Sequence, residues 1–249
     1  MPRFYISPEF WDPNNLILCE AESHHCLNVL RLKEGDKITA FNGQGGEVHT
    51  KIETANKGQV RLKGSNPVQS IKPKTQIVLG QAIPKGKNMD LIIEKATELG
   101  VSKIHPIISD RSIVRISSNE ITKKQEKWQR VAIEACKQSG QNWLPEIKKP
   151  KKTEELFQHN QPEYDLLLIA SLQKGSKSLK EILSEYLIAH DQNEPSSALM
   201  LIGPEGDFTP SEINLAMNFG CFPMTLGPIV LRSETAAIYS LSVLSYELS

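Results

Sequence analysis

The stretch LMLIGPEGDFTPSEI, residues 199–213, joins an apolar run to a capped helix through one sharp turn. The unbroken apolar run Leu199–Ile202 predicts a strand that is buried on both faces, as in a parallel sheet. Gly203-Pro204-Glu205-Gly206 is a turn signal. Thr209-Pro210-Ser211-Glu212 is a capping box with proline at the first helical position. This order of strand, turn and helix predicts an α/β domain.

The same alternation recurs from residue 73 to residue 249. Short apolar runs predict further strands, and helical spacing with capping residues predicts the helices between them. Strands are predicted at 76–83, 103–109, 164–170 and 222–227, and helices at 88–100, after caps at Thr122 and Ser178, and at 234–248. We therefore expect a mostly parallel sheet covered by helices on both faces.

Residues 1–72 have a different pattern of short strands and glycine turns. Strands are predicted at Arg3–Ile6, Lys37–Asn42, Glu47–Thr54 and Gln59–Leu62, with one helix capped by Ser23. Closely spaced short strands are typical of a small β-barrel. Residues 64–74 are predicted to be a linker, which places the domain boundary near residue 72.

Composition indicates a soluble globular protein, because 39% of the 249 residues are apolar and 23% are charged. No apolar run approaches the roughly 20 residues of a membrane helix, and the first residues do not resemble a signal peptide. We therefore expect a cytoplasmic protein. The cysteines are scattered, and the cluster Cys19, His24, His25 and Cys26 lacks the second ligand pair of a zinc site, so no metal is expected.

The net charge is zero, but it is unevenly distributed. Residues 73–160 contain 16 Lys and Arg against 10 Asp and Glu, whereas residues 161–249 contain 4 against 11. A basic middle segment can present a face that attracts phosphates. A solvated lysine-rich helix near 123–152 is the alternative explanation.

Two turns of the same kind follow predicted strands, Gly203-Pro204 and Gly227-Pro228. Ligands of open α/β sheets bind beyond the carboxyl ends of the strands. Glycine lets the main chain approach a ligand, and proline stiffens the turn. We expect these loops to lie side by side and to hold a small planar molecule. The sequence contains no phosphate-binding loop, nucleophile elbow or metalloprotease motif.

Arg232 is the only Lys or Arg after Lys180, and it lies between the last predicted strand and the last helix. An isolated arginine in an acidic segment suggests a specific partner. That partner could be a ligand, or it could be Glu234 in a salt bridge.

Several motifs in sequence resemble the RsmE-type small-subunit (16S) ribosomal RNA uridine N3-methyltransferases, which belong to the SPOUT, or trefoil-knot, superfamily. The motifs are MPRFYI at 1–6, HHCLNVLRLKEGD at 24–36, the segment 85–114, EACKQSGQNWLPEI at 134–147, LIGPEGDF at 201–208 and LGPIVLRSETAA at 226–237. This resemblance covers nearly the whole chain.

The resemblance implies a PUA-like RNA-binding barrel over 1–72 and a knotted SPOUT methyltransferase domain over 73–249. It also implies that S-adenosylmethionine binds in the knot loops. The implied donor-binding residues are Leu201, Ile202, Gly203, Pro204, Glu205, Gly206, Leu226, Gly227, Val230, Leu231, Ser233, Thr235 and Ala236.

In that family the substrate is a uridine of small-subunit ribosomal RNA, whose N3 proton must leave as the methyl group arrives. Arg232 is the candidate for stabilising negative charge on the uracil carbonyls. Glu205 and Glu234 are candidates for accepting the proton, and water is the alternative acceptor. SPOUT enzymes are usually homodimers, and apolar residues of the last helix could face a partner or their own sheet.

RNA contacts are expected from the polar and basic residues of the family-like motifs. These residues are Arg3, His24, His25, Arg31, Lys33, Lys85, Lys87, Arg111, Arg115, Lys137, Gln138 and Ser139. The sequence departs from the family pattern at Gln141, Asp207 and Ile229. Two alternatives remain: a related enzyme that methylates a ribose or a transfer RNA, and an RNA-binding protein without catalysis.

Overall fold

The computed structural model describes residues 1–56, 58–64, 66–112, 117–158 and 163–248, apart from the side chain of Ser118. The chain forms two compact units. The first contains residues 1–72 and 133–144, and the second contains residues 73–132 and 145–249.

One six-stranded sheet forms the first unit. Its strands are β1 (Arg3–Tyr5), β2 (Leu16–Ile17), β3 (Lys37–Phe41), β4 (Gly46–Asn56), β5 (Gln59–Gly64) and β6 (Val68–Gln69), and a short helix, α1, spans Glu20–His24. The order is β1-β3-β4-β5-β2, with β6 paired to β4. Strand β4 alternates between buried and exposed side chains up to residue 53, so that Val48 and Ile52 face the core with Phe4 and Leu62.

Two predictions for this unit are wrong. Ser23 does not cap a helix: it lies in the last turn of α1, where its hydroxyl donates to the Leu18 carbonyl and accepts from the Val60 amide. The segment 64–74 is not only a linker, because it contains β6. Both features depend on partners that are distant in the sequence.

The second unit contains the remaining strands and helices. The strands are β7 (Gln76–Ala82), β8 (Lys103–Ile108), β9 (Glu146–Ile147), β10 (Lys151–Lys152), β11 (Leu166–Ala170), β12 (Ser197–Ile202) and β13 (Phe222–Met224). The helices are α2 (Asn88–Glu98), α3 (Ser118–Ser139), α4 (Thr153–Leu156), α5 (Leu179–Ala189), α6 (Pro210–Asn218) and α7 (Ser233–Glu247). The last residues of α3 belong to the first unit.

All paired strands of the second unit are parallel, in the order β10-β8-β7-β12-β11-β13, with β9 beside β8. The central strand β12 has Ala198 to Ile202 buried without interruption, as predicted for a strand between two layers of helices. The expected α/β fold is confirmed in this respect.

Local signals set most helix starts. The capping boxes of Ser178 with Glu181 and of Thr209 with Glu212 are both present. The predicted cap at Thr122 is wrong, because α3 begins four residues earlier, where the Glu120 carboxylate accepts hydrogen bonds from Ser117. Gln125, the other half of that predicted box, donates instead to the Ile147 carbonyl.

Candidate functional site

Three loops meet at the carboxyl edge of the parallel sheet, after β11, β12 and β13. The sequence predicted the loops after β12 and β13 to be neighbours, but β11 lies between those two strands. The loop after β11, with Ser171 and Leu172, therefore belongs to the same group. Its sequence, SLQKGSKS, has no Gly-Pro turn that would have indicated this.

These loops surround a cavity of about 260 Å³, which we call the loop cavity. It is lined by Ala170, Ser171, Leu172, Ile202, Gly203, Pro204, Glu205, Asp207, Leu226, Gly227, Ile229, Val230, Leu231, Arg232, Ser233 and Ala236. Most of these side chains are aliphatic or small, with a few polar groups among them, as is usual for small-molecule sites.

Most of the residues that the resemblance assigns to the methyl donor line this cavity. Three of them do not, and neither does Glu234, which was a candidate proton acceptor. Leu201 is buried in the core beneath the loops, at 1% exposure, and Gly206, Thr235 and Glu234 are outside the lining. Glu205 and Arg232 thus lie at the cavity, whereas Glu234 stands in the first turn of α7.

A buried hydrogen-bond chain connects the walls of the loop cavity. Gln81 is fully buried at the end of β7, and its Nε2 donates to the Ser233 hydroxyl at 3.0 Å. The Ser233 hydroxyl in turn donates to the Gly203 carbonyl at 2.8 Å. The Oε1 atom of Gln81 has no hydrogen-bond partner among the described residues. The sequence around Gln81 contains no signal of this role, because its partner lies 152 positions away.

The turn after β12 is also fixed from outside. The Lys85 amide donates to Glu205 Oε1 at 3.0 Å, and Arg111 donates to the Gly206 carbonyl at 2.8 Å. Asp207 has a positive φ of 59°, which is uncommon for a residue other than glycine. This turn is therefore held in a defined shape by groups from two other loops.

The guanidinium of Arg232 has no ion pair within the described parts of the chain, and its side chain is exposed. The alternative explanation from the sequence, a salt bridge to Glu234, is not seen there. The positive charge of Arg232 thus lies at the edge of the loop cavity without an ion-pair partner among the described residues.

Gly227 lies in the wall of the loop cavity, where the absence of a side chain lets a ligand approach the main chain closely. Its φ of +112° is accessible essentially to glycine, and an added Cβ would meet no atom within 4 Å. The main chain of the loop after β13 therefore faces open space at this point.

Two of the predicted RNA-binding residues are already paired within the first unit. Arg3 forms an ion pair with Glu47 at 2.6 Å. Lys137 is 8% exposed in its side chain and donates to Glu22 and Glu134, each at 2.9 Å. Burial disfavours the Lys137 ammonium, but these two carboxylates raise its pKa, so its charge is retained and balanced internally.

The other predicted RNA-binding residues are mostly accessible. His24, Arg31, Lys33, Lys85, Lys87, Arg111, Gln138 and Ser139 are exposed, His25 is half-buried, and Arg115 lies outside the described residues. Lys137, Gln138 and Ser139, which we expected on the catalytic domain, belong to the first unit. Arg31 combines exposure with a φ of +55°.

No group of three or more His, Cys, Asp or Glu side chains in the described ranges is arranged to hold a metal ion. Among the helices described, none is long and apolar enough to cross a membrane.

Two family models match the chain. Residues 71–245 match the RNA methyltransferase domain, and residues 18–63 match the RNA methyltransferase PUA domain. The chain is 32% identical over 229 residues to the ribosomal RNA small subunit methyltransferase E of Bacillus subtilis (strain 168), covering 91% of this chain and 88% of that protein.

Solved structures give the same result. A methyltransferase from Legionella pneumophila with bound S-adenosylmethionine has a TM-score of 0.86 and 34% identity, over 98% of this chain and 97% of that one. The ribosomal RNA small subunit methyltransferase E of Neisseria gonorrhoeae, also bound to S-adenosylmethionine, has a TM-score of 0.85 and 29% identity, over 99% and 98%.

Proposed function

The chain belongs to the ribosomal RNA small subunit methyltransferase E family, and we propose that it transfers the methyl group of S-adenosylmethionine to small-subunit ribosomal RNA in the cytoplasm. The observation that carries this proposal is the loop cavity at the carboxyl edge of a parallel sheet, which is lined by most of the residues that the family motifs assign to the donor.

We propose that the donor lies against the main chain of Gly203-Pro204 and of Leu226-Gly227, with Val230, Leu231 and Ala236 as apolar contacts. When bound, S-adenosylmethionine supplies an electrophilic methyl group on a positively charged sulfur. The carboxylate of Asp207 in the lining suits that charge. The trefoil knot implied by the resemblance remains part of this proposal.

The acceptor atom that we propose is N3 of a uridine. Arg232 is exposed and makes no ion pair among the described residues, so its guanidinium is available to a uracil carbonyl oxygen. Removing the N3 proton leaves negative charge on the two flanking carbonyls, and a positioned cation lowers the free energy of that state. The bound donor would supply its methyl carbon to N3, and its sulfur would keep the electron pair of the bond that breaks.

Of the two candidate proton acceptors, the geometry favours Glu205. It lines the loop cavity, and the Lys85 amide holds its Oε1 at 3.0 Å, which leaves Oε2 free to take the N3 proton. Glu234 lies outside the lining. We therefore assign proton acceptance to Glu205, with water as the alternative acceptor.

We propose that the first unit, with Arg31 and Lys33, binds the phosphate backbone of the RNA. Both residues are exposed, and neither forms an ion pair within the described ranges. Within the second unit, the exposed residues Lys85, Lys87 and Arg111 would make further phosphate contacts near the loop cavity. Phosphate contacts of this kind set affinity and register rather than sequence preference.

A homodimer is also proposed. Of the residues that the sequence suggested for its interface, only Ile238 is partly exposed; the suggested set is Ala237, Ile238, Leu241, Leu244 and Leu248. Ala237, Leu241, Leu244 and Leu248 are buried within the chain itself, at 5% exposure or less. The same helix leaves Tyr239 and Tyr246 exposed, at 49% and 85%. Exposed aromatic rings on a long terminal helix favour a contact with a second copy.

The test is transfer of a labelled methyl group to naked small-subunit RNA, assembled small subunits and transfer RNA in parallel. We expect N3-methyluridine in assembled subunits and a loss of about 100-fold in kcat with Arg232→Ala. Arg130→Ala, at an exposed arginine of α3, is the matched control and should retain activity.

Label on a ribose or in transfer RNA would contradict the proposed substrate while retaining the methyltransferase activity. No label on any RNA, together with no binding of S-adenosylmethionine, would identify an RNA-binding protein without catalysis. Equal losses in Arg232→Ala and Arg130→Ala would remove Arg232 from the mechanism.

A further inference from the structure

The first unit contains a cavity of about 860 Å³, larger than the loop cavity, which we call the aromatic cavity. It is formed by the end of β1, the turn over residues 8–10, strand β2 and the start of α1. The residues that line it include Tyr5, Phe10 and Trp11. Phe10 is 72% exposed, although a large apolar ring is normally covered.

Three carboxylates line this cavity. Among the described residues its lining contains Glu9, Asp12 and Glu20 and no Lys, Arg or His. Arg61 lies beside the lining, and its guanidinium donates to Asn15 Oδ1 at 2.9 Å. None of the three carboxylates forms an ion pair within the described ranges. The cavity therefore combines aromatic residues with three carboxylates that have no ion-pair partner among the described residues.

This combination fits a guanidinium group. A planar cation stacks on an aromatic ring and pairs with a carboxylate at the same time. The first unit already contains one such arrangement: the Arg3 guanidinium lies 4.8 Å from the centre of the Phe41 ring and 2.6 Å from the Glu47 carboxylate. The aromatic cavity presents the same two partners without the cation.

We propose that the aromatic cavity binds an arginine-containing basic segment of another protein. One arginine side chain would lie against Trp11 and Phe10 and pair with Glu9 or Asp12, while Glu20 attracts a neighbouring basic residue. A nucleic acid fits less well, because its phosphates would be repelled by the three carboxylates. The inference depends only on the first unit and does not rest on the proposed methyltransferase activity.

The experiment uses the full chain and a capped peptide of alternating Arg and Gly as the probe. Binding is measured by calorimetry and by the indole N–H signals of the three tryptophans, with Trp11→Phe identifying its own signal. We expect the Trp11 signal to shift and that of Trp128, which is 3% exposed, to stay in place. The corresponding Glu-Gly peptide should not bind.

The variant Glu9→Gln/Asp12→Asn/Glu20→Gln removes the charges without changing side-chain shape, and it should weaken peptide binding by about tenfold. The matched control Glu126→Gln/Glu154→Gln/Glu247→Gln removes three exposed carboxylates elsewhere and should leave the affinity unchanged. Thermal unfolding curves show whether each variant keeps its fold.

Equal weakening in both triple variants would overturn the proposal, because the peptide would then respond only to net charge. Binding of a uridine hexanucleotide that shifts the Trp11 signal more than the peptide does would overturn it in favour of RNA. Absence of any shift with the Arg-Gly peptide would overturn it as well.

Discussion

The side-chain amide nitrogen of Gln81, Nε2, lies 3.0 Å from the hydroxyl of Ser233, although 152 positions separate the two residues in the sequence. Ser233 lines the loop cavity and also donates to the Gly203 carbonyl. Through this chain, the end of β7 fixes the distance between the turn after β12 and the start of α7. A buried amide at this position therefore acts on the shape of the proposed donor site.

We expect Gln81→Leu to raise the Kd for S-adenosylmethionine by about tenfold, with a smaller change in kcat. Each lost hydrogen bond is worth roughly 1 kcal/mol, and without it the two walls are no longer held together. Leucine also removes the unpaired Oε1, so the free energy of unfolding should change little. Calorimetric titration with the donor measures the affinity.

The matched control for this prediction is Gln129→Leu. Gln129 makes two hydrogen bonds, to the Pro145 carbonyl and from the Ile147 amide, away from the loop cavity. We expect this variant to lower Tm and to leave the donor affinity unchanged. A donor affinity that falls equally in both variants would show that Gln81 acts only through general stability.

Glu205→Gln tests proton acceptance separately from loop geometry. Glutamine retains an oxygen that can accept from the Lys85 amide, but it cannot take up a proton. We expect kcat to fall about 100-fold while the Kd for S-adenosylmethionine stays within about twofold. Activity equal to that of the unmodified protein would assign the proton to water or to Glu234, and Glu234→Gln then separates these two.

His105 gives the protein a specific pH dependence. It is 9% exposed, and burial, with a smaller contribution from the charge of Lys103, lowers its pKa to about 4. The unfolded chain takes up this proton near pH 6.5, so it binds more protons than the folded chain between these values. The free energy of unfolding should therefore decrease as the pH falls from about 6.5 to about 4, by at most about 1.4 kcal/mol per pH unit.

Urea unfolding at a series of pH values measures this slope. In His105→Gln the contribution of the imidazole is absent, so we expect a shallower slope even if the absolute stability changes. Identical slopes for the two proteins would show that His105 is protonated in the folded state at the same pH as in the unfolded chain.

One of the four thiols should react much faster than the others. All four cysteines are free, and only Cys19 is exposed. Burial raises the pKa of Cys26 to about 11 and those of Cys136 and Cys221 to about 12, so their reactive thiolates are scarce near pH 7. N-ethylmaleimide should label one thiol in the fast phase, and Cys19→Ser should abolish that phase.

The predictions that succeeded depend on short-range physics. The capping boxes at Ser178 and Thr209 involve partners three residues away. The burial of β12 follows from its own apolar residues. The predicted caps at Ser23 and Thr122 have the same appearance in the sequence. The prediction for Ser23 is wrong because its hydroxyl accepts a hydrogen bond from the Val60 amide, 37 positions away.

The same distinction between short-range and long-range contacts applies to the candidate site. Its Gly-Pro turns could be predicted, because glycine and proline restrict the main chain locally. Strand order could not, so the position of β11 between β12 and β13, and with it Ser171 and Leu172, appears only in the structure. A count of basic residues also does not reveal which of them form ion pairs, as Lys137 does with Glu22.

Residues 133–144 complete the first unit, although they follow some 60 residues of the second unit in the chain. Within the first unit the Gly45 amide donates to the Asn142 carbonyl, and the Leu144 amide donates to the Gly43 carbonyl. At a synthesis rate of about 5–20 residues per second, the amino-terminal sheet waits several seconds for these partners to leave the ribosome. The order of synthesis therefore leaves the first unit incomplete while β7 and β8 are already available to pair.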